Sequence, residues 1–223
     1  MKTLKRRVFS FILALVMVVS ICTTGMAAKA TGQWKINVKE KTIAVTKEAS
    51  SALKKATKKL VGKSFKPLAL LGTQTVSGVN YCLLCYSKTA TQNPVGGIDL
   101  VYVNKTTKGK CKIMNVVTLM SSEAGLSGGW TLTKKASKLA LSKDMKKAFK
   151  AGLSNYVGIT GTALGVLGSQ VVAGMKYNLL CAGKMVTPGA KKNLYQITVF
   201  VGLDGKASVD SVEVIDVAAL MNK

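Results

Sequence analysis

Apolar and polar positions alternate along this chain, shift to a helical period, then alternate again, and the whole sequence of changes happens twice. Trp34, Ile36 and Val38 alternate with polar residues, and Ile43 and Val45 resume the two-residue spacing, which predicts a half-buried strand. From Thr46 the spacing becomes i, i+3, i+4. Ala49, Ala52, Leu53, Ala56 and Leu60 share one helical face, and Lys47, Lys54, Lys55, Lys58 and Lys59 take the other. Thr46 is the expected N-cap, Glu48 complements the helix dipole in the first turn, and Gly62 is the expected stop. Four strand candidates follow in meander order: Lys66 to Thr75, Val79 to Tyr86, Ile98 to Asn104 and Lys110 to Leu119. Tyr81, Leu83 and Cys85 fall on one face, assigned to the helix side.

The second half makes the same choices 96 positions later. Leu71, Gly72, Gln74, Val76, Gly78, Tyr81, Leu83, Leu84 and Cys85 recur as Leu167, Gly168, Gln170, Val172, Gly174, Tyr177, Leu179, Leu180 and Cys181. Ser142 is the expected cap, Asp144 sits in the first turn, and Met145, Ala148, Phe149, Gly152 and Tyr156 form the apolar face. Strands are expected over Ala163 to Val171, Met175 to Ala182, Leu194 to Val201 and Lys206 to Val217. Agreement of role without identity of residue indicates duplication of a folded unit. The joint is placed at Ser121 to Ser127, giving a first domain over 31–123 and a second over 124–223.

The motif shared by the copies is Gln74-Thr75-Val76-Ser77-Gly78 and Gln170-Val171-Val172-Ala173-Gly174. Gln-x-Val-x-Gly followed by Tyr and alternating apolar residues resembles the first inhibitory hairpin of the cystatins. Leu126, Ser127, Gly128, Gly129 and Trp130 resemble the glycine-containing amino-terminal trunk of that family, with Gly32 in the matching place of the first copy. The resemblance implies an α+β fold of two tandem cystatin-like domains, each one helix wrapped by an antiparallel four- to five-stranded meander sheet. It also implies a function: trunk, first hairpin and a second hairpin carrying Pro-Trp form a wedge that occludes the cleft of a papain-like cysteine protease. The small residues suit close backbone approach, and a rigid hairpin loses little entropy on binding. The chain departs from the pattern in its last hairpins, Lys105 to Gly109 and Gly202 to Gly205, which lack Pro-Trp. The second copy, with paired glycines, is the better inhibitor candidate.

Charge and cysteine usage narrow the picture. Lys2, Lys5, Arg6 and Arg7 precede an apolar run from Val8 to Cys22, and Ala28-Lys29-Ala30 offers small residues for cleavage, so residues 1–30 read as a secretory signal peptide. The apolar run is shorter than the roughly twenty residues a span needs, although an uncleaved anchor is the alternative. Loss of this leader would take the formal charge from +24 to +19. Such a chain is expected outside the cell, attracted to anionic envelope polymers over a Debye length of about 8 Å. The lysine faces lack the interleaved aromatic residues that nucleic-acid stacking requires. Cys82 and Cys85 would point to opposite faces of a strand, and with no histidine in the chain a metal site is not expected. Cys85 and Cys181 are expected as small buried hydrophobes, and Cys82 and Cys111 are expected too far apart to bridge.

Catalysis finds no support. Histidine is absent, and the acidic residues do not recur as pairs between the copies. The expectation is a binding protein without cofactor: a secreted, reversible inhibitor of papain-like cysteine proteases, or, in the alternative, a non-inhibitory basic module that holds to the cell envelope on the same scaffold.

Overall fold

In the first half, β1 (Lys35–Ile36) leads into helix α1 (Lys47–Ala56) and then into a long meander of β2 (Lys63–Val76), β3 (Gly78–Thr89), β4 (Gly96–Thr106) and β5 (Cys111–Ser121). The second half repeats this as β6 (Thr131–Leu132), α2 (Lys143–Ser154), β7 (Ile159–Val172), β8 (Gly174–Met185), β9 (Asn193–Gly202) and β10 (Ala207–Ile215), with a closing helix α3 (Val217–Met221). This computed structural model describes residues 32–122 and 129–222. The expected leader, most of the expected joint and the expected trunk residue Gly128 lie outside the described residues.

Each half forms one antiparallel sheet with its strands in chain order, β1-β2-β3-β4-β5 and β6-β7-β8-β9-β10. The helices start where the sequence says. The Thr46 hydroxyl accepts from the Ala49 amide at 3.2 Å and the Ser142 hydroxyl from the Met145 amide at 3.2 Å. They end early. Leu60 and Tyr156, expected on the helical apolar faces, fall beyond the last turns and are exposed. The strand expected from Trp34 through Val45 is also broken: only Lys35–Ile36 pairs, and a 3-10 turn over Glu40–Thr42 follows. There the Thr42 hydroxyl donates to the Lys39 carbonyl at 2.8 Å and takes the backbone out of the extended form.

The expected fold class needs correction. Among the described residues the chain is mostly β, with two five-stranded antiparallel sheets and three short helices, and it is not a pair of cystatin-like domains in which a sheet wraps one helix. The physical reason is that both faces of the long strands are apolar. Leu70, Tyr81, Leu83, Cys85, Val101 and Val103 pack under Ala49, Ala52 and Leu53 of α1. Leu71, Cys82, Leu84, Leu100 and Tyr102 alternate with them and are equally buried. A ten-residue helix covers one face, and a sheet with two apolar faces needs a second cover.

That cover is the other sheet. Leu167, Leu180, Ala182, Leu194 and Ile215 of the second half join Leu71, Cys82, Leu84, Leu100 and Tyr102 in one continuous core. The order of layers is therefore α1, first sheet, second sheet, α2, within one compact unit. Matching bulges help to fill the central layer. Register slips beside Leu68 and Leu71 in β2 and beside Leu164 and Leu167 in β7, and all four leucines enter the shared core. Pro67 sits at the first of these slips, a position compatible with a residue that cannot donate to the ladder. Two hydrogen-bonding side chains also cross between the halves. The Tyr102 hydroxyl donates to the Val217 carbonyl at 2.9 Å, and the Asn115 amide to the Leu220 carbonyl at 3.1 Å.

The stacking is head to tail. Tyr102 lies towards the β4–β5 turn of its sheet, whereas Val217 follows the opposite end of β10. Reciprocally, Met120 at the far end of β5 reaches to 3.4 Å from the place a Cβ on Gly168 would occupy, close to the β7–β8 turn. The two motif hairpins therefore point away from opposite ends of the molecule.

Candidate functional site

At one end of the first sheet three segments converge. The β2–β3 turn at Ser77 lies beside the β4–β5 turn, because Gly78 pairs with Thr106 across the ladder. On the other side of the motif, the Gly32 amide donates to the Thr75 carbonyl at 3.2 Å. Thr75 and Ser77 are exposed, Val76 and Gly78 are half-buried, and Gln74 is buried. Gln74 is occupied structurally: its side-chain oxygen accepts from Asn80 at 2.8 Å, and Asn80 in turn accepts from Asn104 at 2.7 Å. This polar ladder ties three neighbouring strands together just below the tip.

The second sheet builds the same end from more apolar residues. Val172 pairs with Gly174, leaving Ala173 at the apex, and Gly174 pairs with Gly202 at the start of the β9–β10 turn. Val171 is 68% exposed and Val172 39%, Ala173 is exposed, and Gln170 and Gly174 are half-buried. Gly129 is half-buried and precedes β6, which pairs beside Ser169. In the adjoining turn Leu203 is 87% exposed. Sequence reading missed Leu203, although an apolar residue between glycine and aspartate in a four-residue turn was a visible signal. It stands in the hairpin where the resemblance would place Pro-Trp. Trp34 and Trp130 are not at the tips: both pack against the core between the sheets, Trp34 edge-on to Tyr102 with ring centroids 5.9 Å apart.

The buried thiols and the buried ion pair of the first sheet have structural roles. Cys82, Cys85 and Cys181 are buried, and Cys111 is half-buried near the first tip; all four are free thiols. Burial pushes the Cys82 thiol up to about 12, against a lesser lowering by its hydrogen bond with Tyr102, and burial raises Cys85 and Cys181 as well. Protonated buried thiols are inert as nucleophiles and as ligands. At the end of the first sheet opposite the tip, the Lys63 ammonium lies 2.6 Å from the fully buried Asp99 carboxylate. The pairing is ionic in geometry, since neither Asp99 oxygen nor the nearby Ser87 hydroxyl has a hydrogen-bond partner of good angle among the described residues. Among the described residues no group of three or more Cys, Asp or Glu side chains is placed to hold a metal ion, and no helix is long and apolar enough to cross a membrane.

No protein-family model matches the chain, and no curated protein matches it in sequence. The function must be argued from the two tips.

Proposed function

We propose that the protein is a binding protein that acts through the tip of its second sheet, with the cleft of a papain-like cysteine protease as the partner class the motif resemblance suggests. The observation that carries this reading is the exposure of Val171, Val172 and Leu203, three apolar side chains carried by two adjoining hairpins. Apolar groups held in water on a rigid hairpin gain when a partner covers them, by roughly 1.5 to 3 kcal/mol per fully buried side chain. Inhibition would be occlusion without covalent chemistry, because the tip offers backbone and methyl groups and no nucleophile. The first tip, with Thr75, Ser77, Thr107 and Lys108 exposed, is polar and basic and makes the weaker contribution.

Titration of papain with the full chain tests this. Inhibition at micromolar protein is expected, with Leu203→Asp and Val171→Asp each weakening it at least about tenfold. Full papain activity at micromolar protein removes the protease reading.

A second reading is favoured by the outer helix faces. Lys47, Lys54, Lys55, Lys58 and Lys59 are all exposed on or just past α1, as are Lys143, Lys146, Lys147 and Lys150 on α2. These faces suit adhesion to anionic envelope polymers, which would weaken steeply between 0.1 M and 1 M salt as the Debye length falls from about 10 to 3 Å. Binding to isolated envelope that is indifferent to salt rules it out.

A further inference from the structure

The duplication is imperfect at one position that matters for packing. In the first half Phe65, on the helix-facing side of β2, packs against the core beneath α1, with the Lys63 ammonium 5.6 Å from its ring centre. The residue 96 positions on is Gly161, which has no side chain to place there. A cavity of about 510 Å³ opens between α2 and β7, with Gly161 in its lining. Its walls are Phe149, Leu153, Ile159 and Ala163, and its rim carries the exposed Lys146 and Lys150, one helical turn apart. The volume falls within the range of small-molecule sites.

We infer that this cavity is a binding site for a small amphiphilic carboxylate, a straight-chain fatty acid of medium length, with its tail against Phe149, Leu153, Ile159 and Ala163 and its carboxylate between Lys146 and Lys150. Charge complementarity selects this occupant. An apolar tail alone would leave the two ammonium groups unused, and a cationic amphiphile would be repelled by them. The acidic partners found for lysines elsewhere, Asp99 for Lys63 and Asp210 for Lys176, have no counterpart in the contacts of Lys146 or Lys150 among the described residues. The site lies on the helix side of the second sheet and is independent of the hairpin tips.

Isothermal titration of the full chain with hexanoate, octanoate and decanoate below their micelle concentrations tests the assignment. Affinity is expected to rise about fourfold for each methylene added while the cavity still has room. Ala163→Phe, which fills the cavity, is expected to abolish decanoate binding. Lys146→Glu with Lys150→Glu changes only exposed positions, keeps the fold, and is expected to weaken decanoate at least about tenfold while improving decyltrimethylammonium. The inference is overturned if decanoate does not bind, if Ala163→Phe binds it as before, or if the charge-reversed variant leaves the preference for the carboxylate unchanged.

Discussion

Gly174 carries the strictest steric demand in the second hairpin. Its φ is +129°, and an added Cβ would fall 2.1 Å from the Val201 carbonyl oxygen of the neighbouring strand. Gly189 also has positive φ, +74°, yet a Cβ there meets nothing within 4 Å. Gly189→Ala should therefore cost about 1 kcal/mol, the left-handed penalty alone, whereas Gly174→Ala should cost clearly more and splay the two adjoining hairpins that carry Val171 and Leu203. Urea midpoints of the two variants check the order. Cys181 makes a different prediction, in pH. Below the ordinary thiol value of 9.0 both folded and unfolded chains hold the proton; above it the unfolded thiol loses the proton while burial keeps it on the folded one. The unfolded state then binds fewer protons, so stability falls as pH rises. The cost of Cys181→Ala should consequently shrink by about 1.4 kcal/mol for each pH unit above 9. Denaturation at pH 8 and pH 10.5 measures it; an unchanged cost would mean the thiol titrates alike in both states.

At the scale of elements, what the chain announces and what it hides have separate causes. Caps and turns are local, so Thr46 and Ser142 start their helices and Gly109 and Gly205, at φ +77° and +75°, close the last hairpins as their sequence positions indicate. Helix ends depend on competition. The Thr57 hydroxyl donates to the Leu53 carbonyl at 2.9 Å, and the segment to Gly62 leaves helical geometry although its apolar spacing continues to Leu60. The stacking of the sheets escaped a reading that assigned only Tyr81, Leu83 and Cys85 to a covered face. The signal was nevertheless present: Tyr81 through Tyr86 is an unbroken buried run, and Leu179 through Ala182 matches it. A sheet open to water on one side would show polar residues at every second place. The site divides in the same way. Its hairpin positions follow from the repeated motif, but Leu203 becomes meaningful only when the ladder sets Gly202 against Gly174.

At the scale of the whole molecule, the two halves depend on one another. If residues 32–122 stood alone, Leu71, Cys82, Leu84, Leu100 and Tyr102, all fully buried now, would form a continuous apolar face. Soluble monomers rarely expose a contiguous patch beyond a few hundred Å². The halves made separately should therefore either precipitate or pair with themselves, since duplication has given them similar faces, and mixing them should recover a one-to-one complex. Light scattering on a sizing column distinguishes these states, and a monomeric, cooperatively unfolding first half would show that the central layer is dispensable. Tyr102→Phe probes the same layer in the intact chain, leaving the Val217 carbonyl without its donor at a cost of about 1 to 3 kcal/mol. Because the sheets stack head to tail, this central layer also holds the two tips at opposite ends, beyond the reach of a single cleft. Tight binding by the intact chain should thus come from the second tip by itself, and replacing Val171 and Leu203 should remove it even though the Gln74 to Gly78 hairpin is untouched.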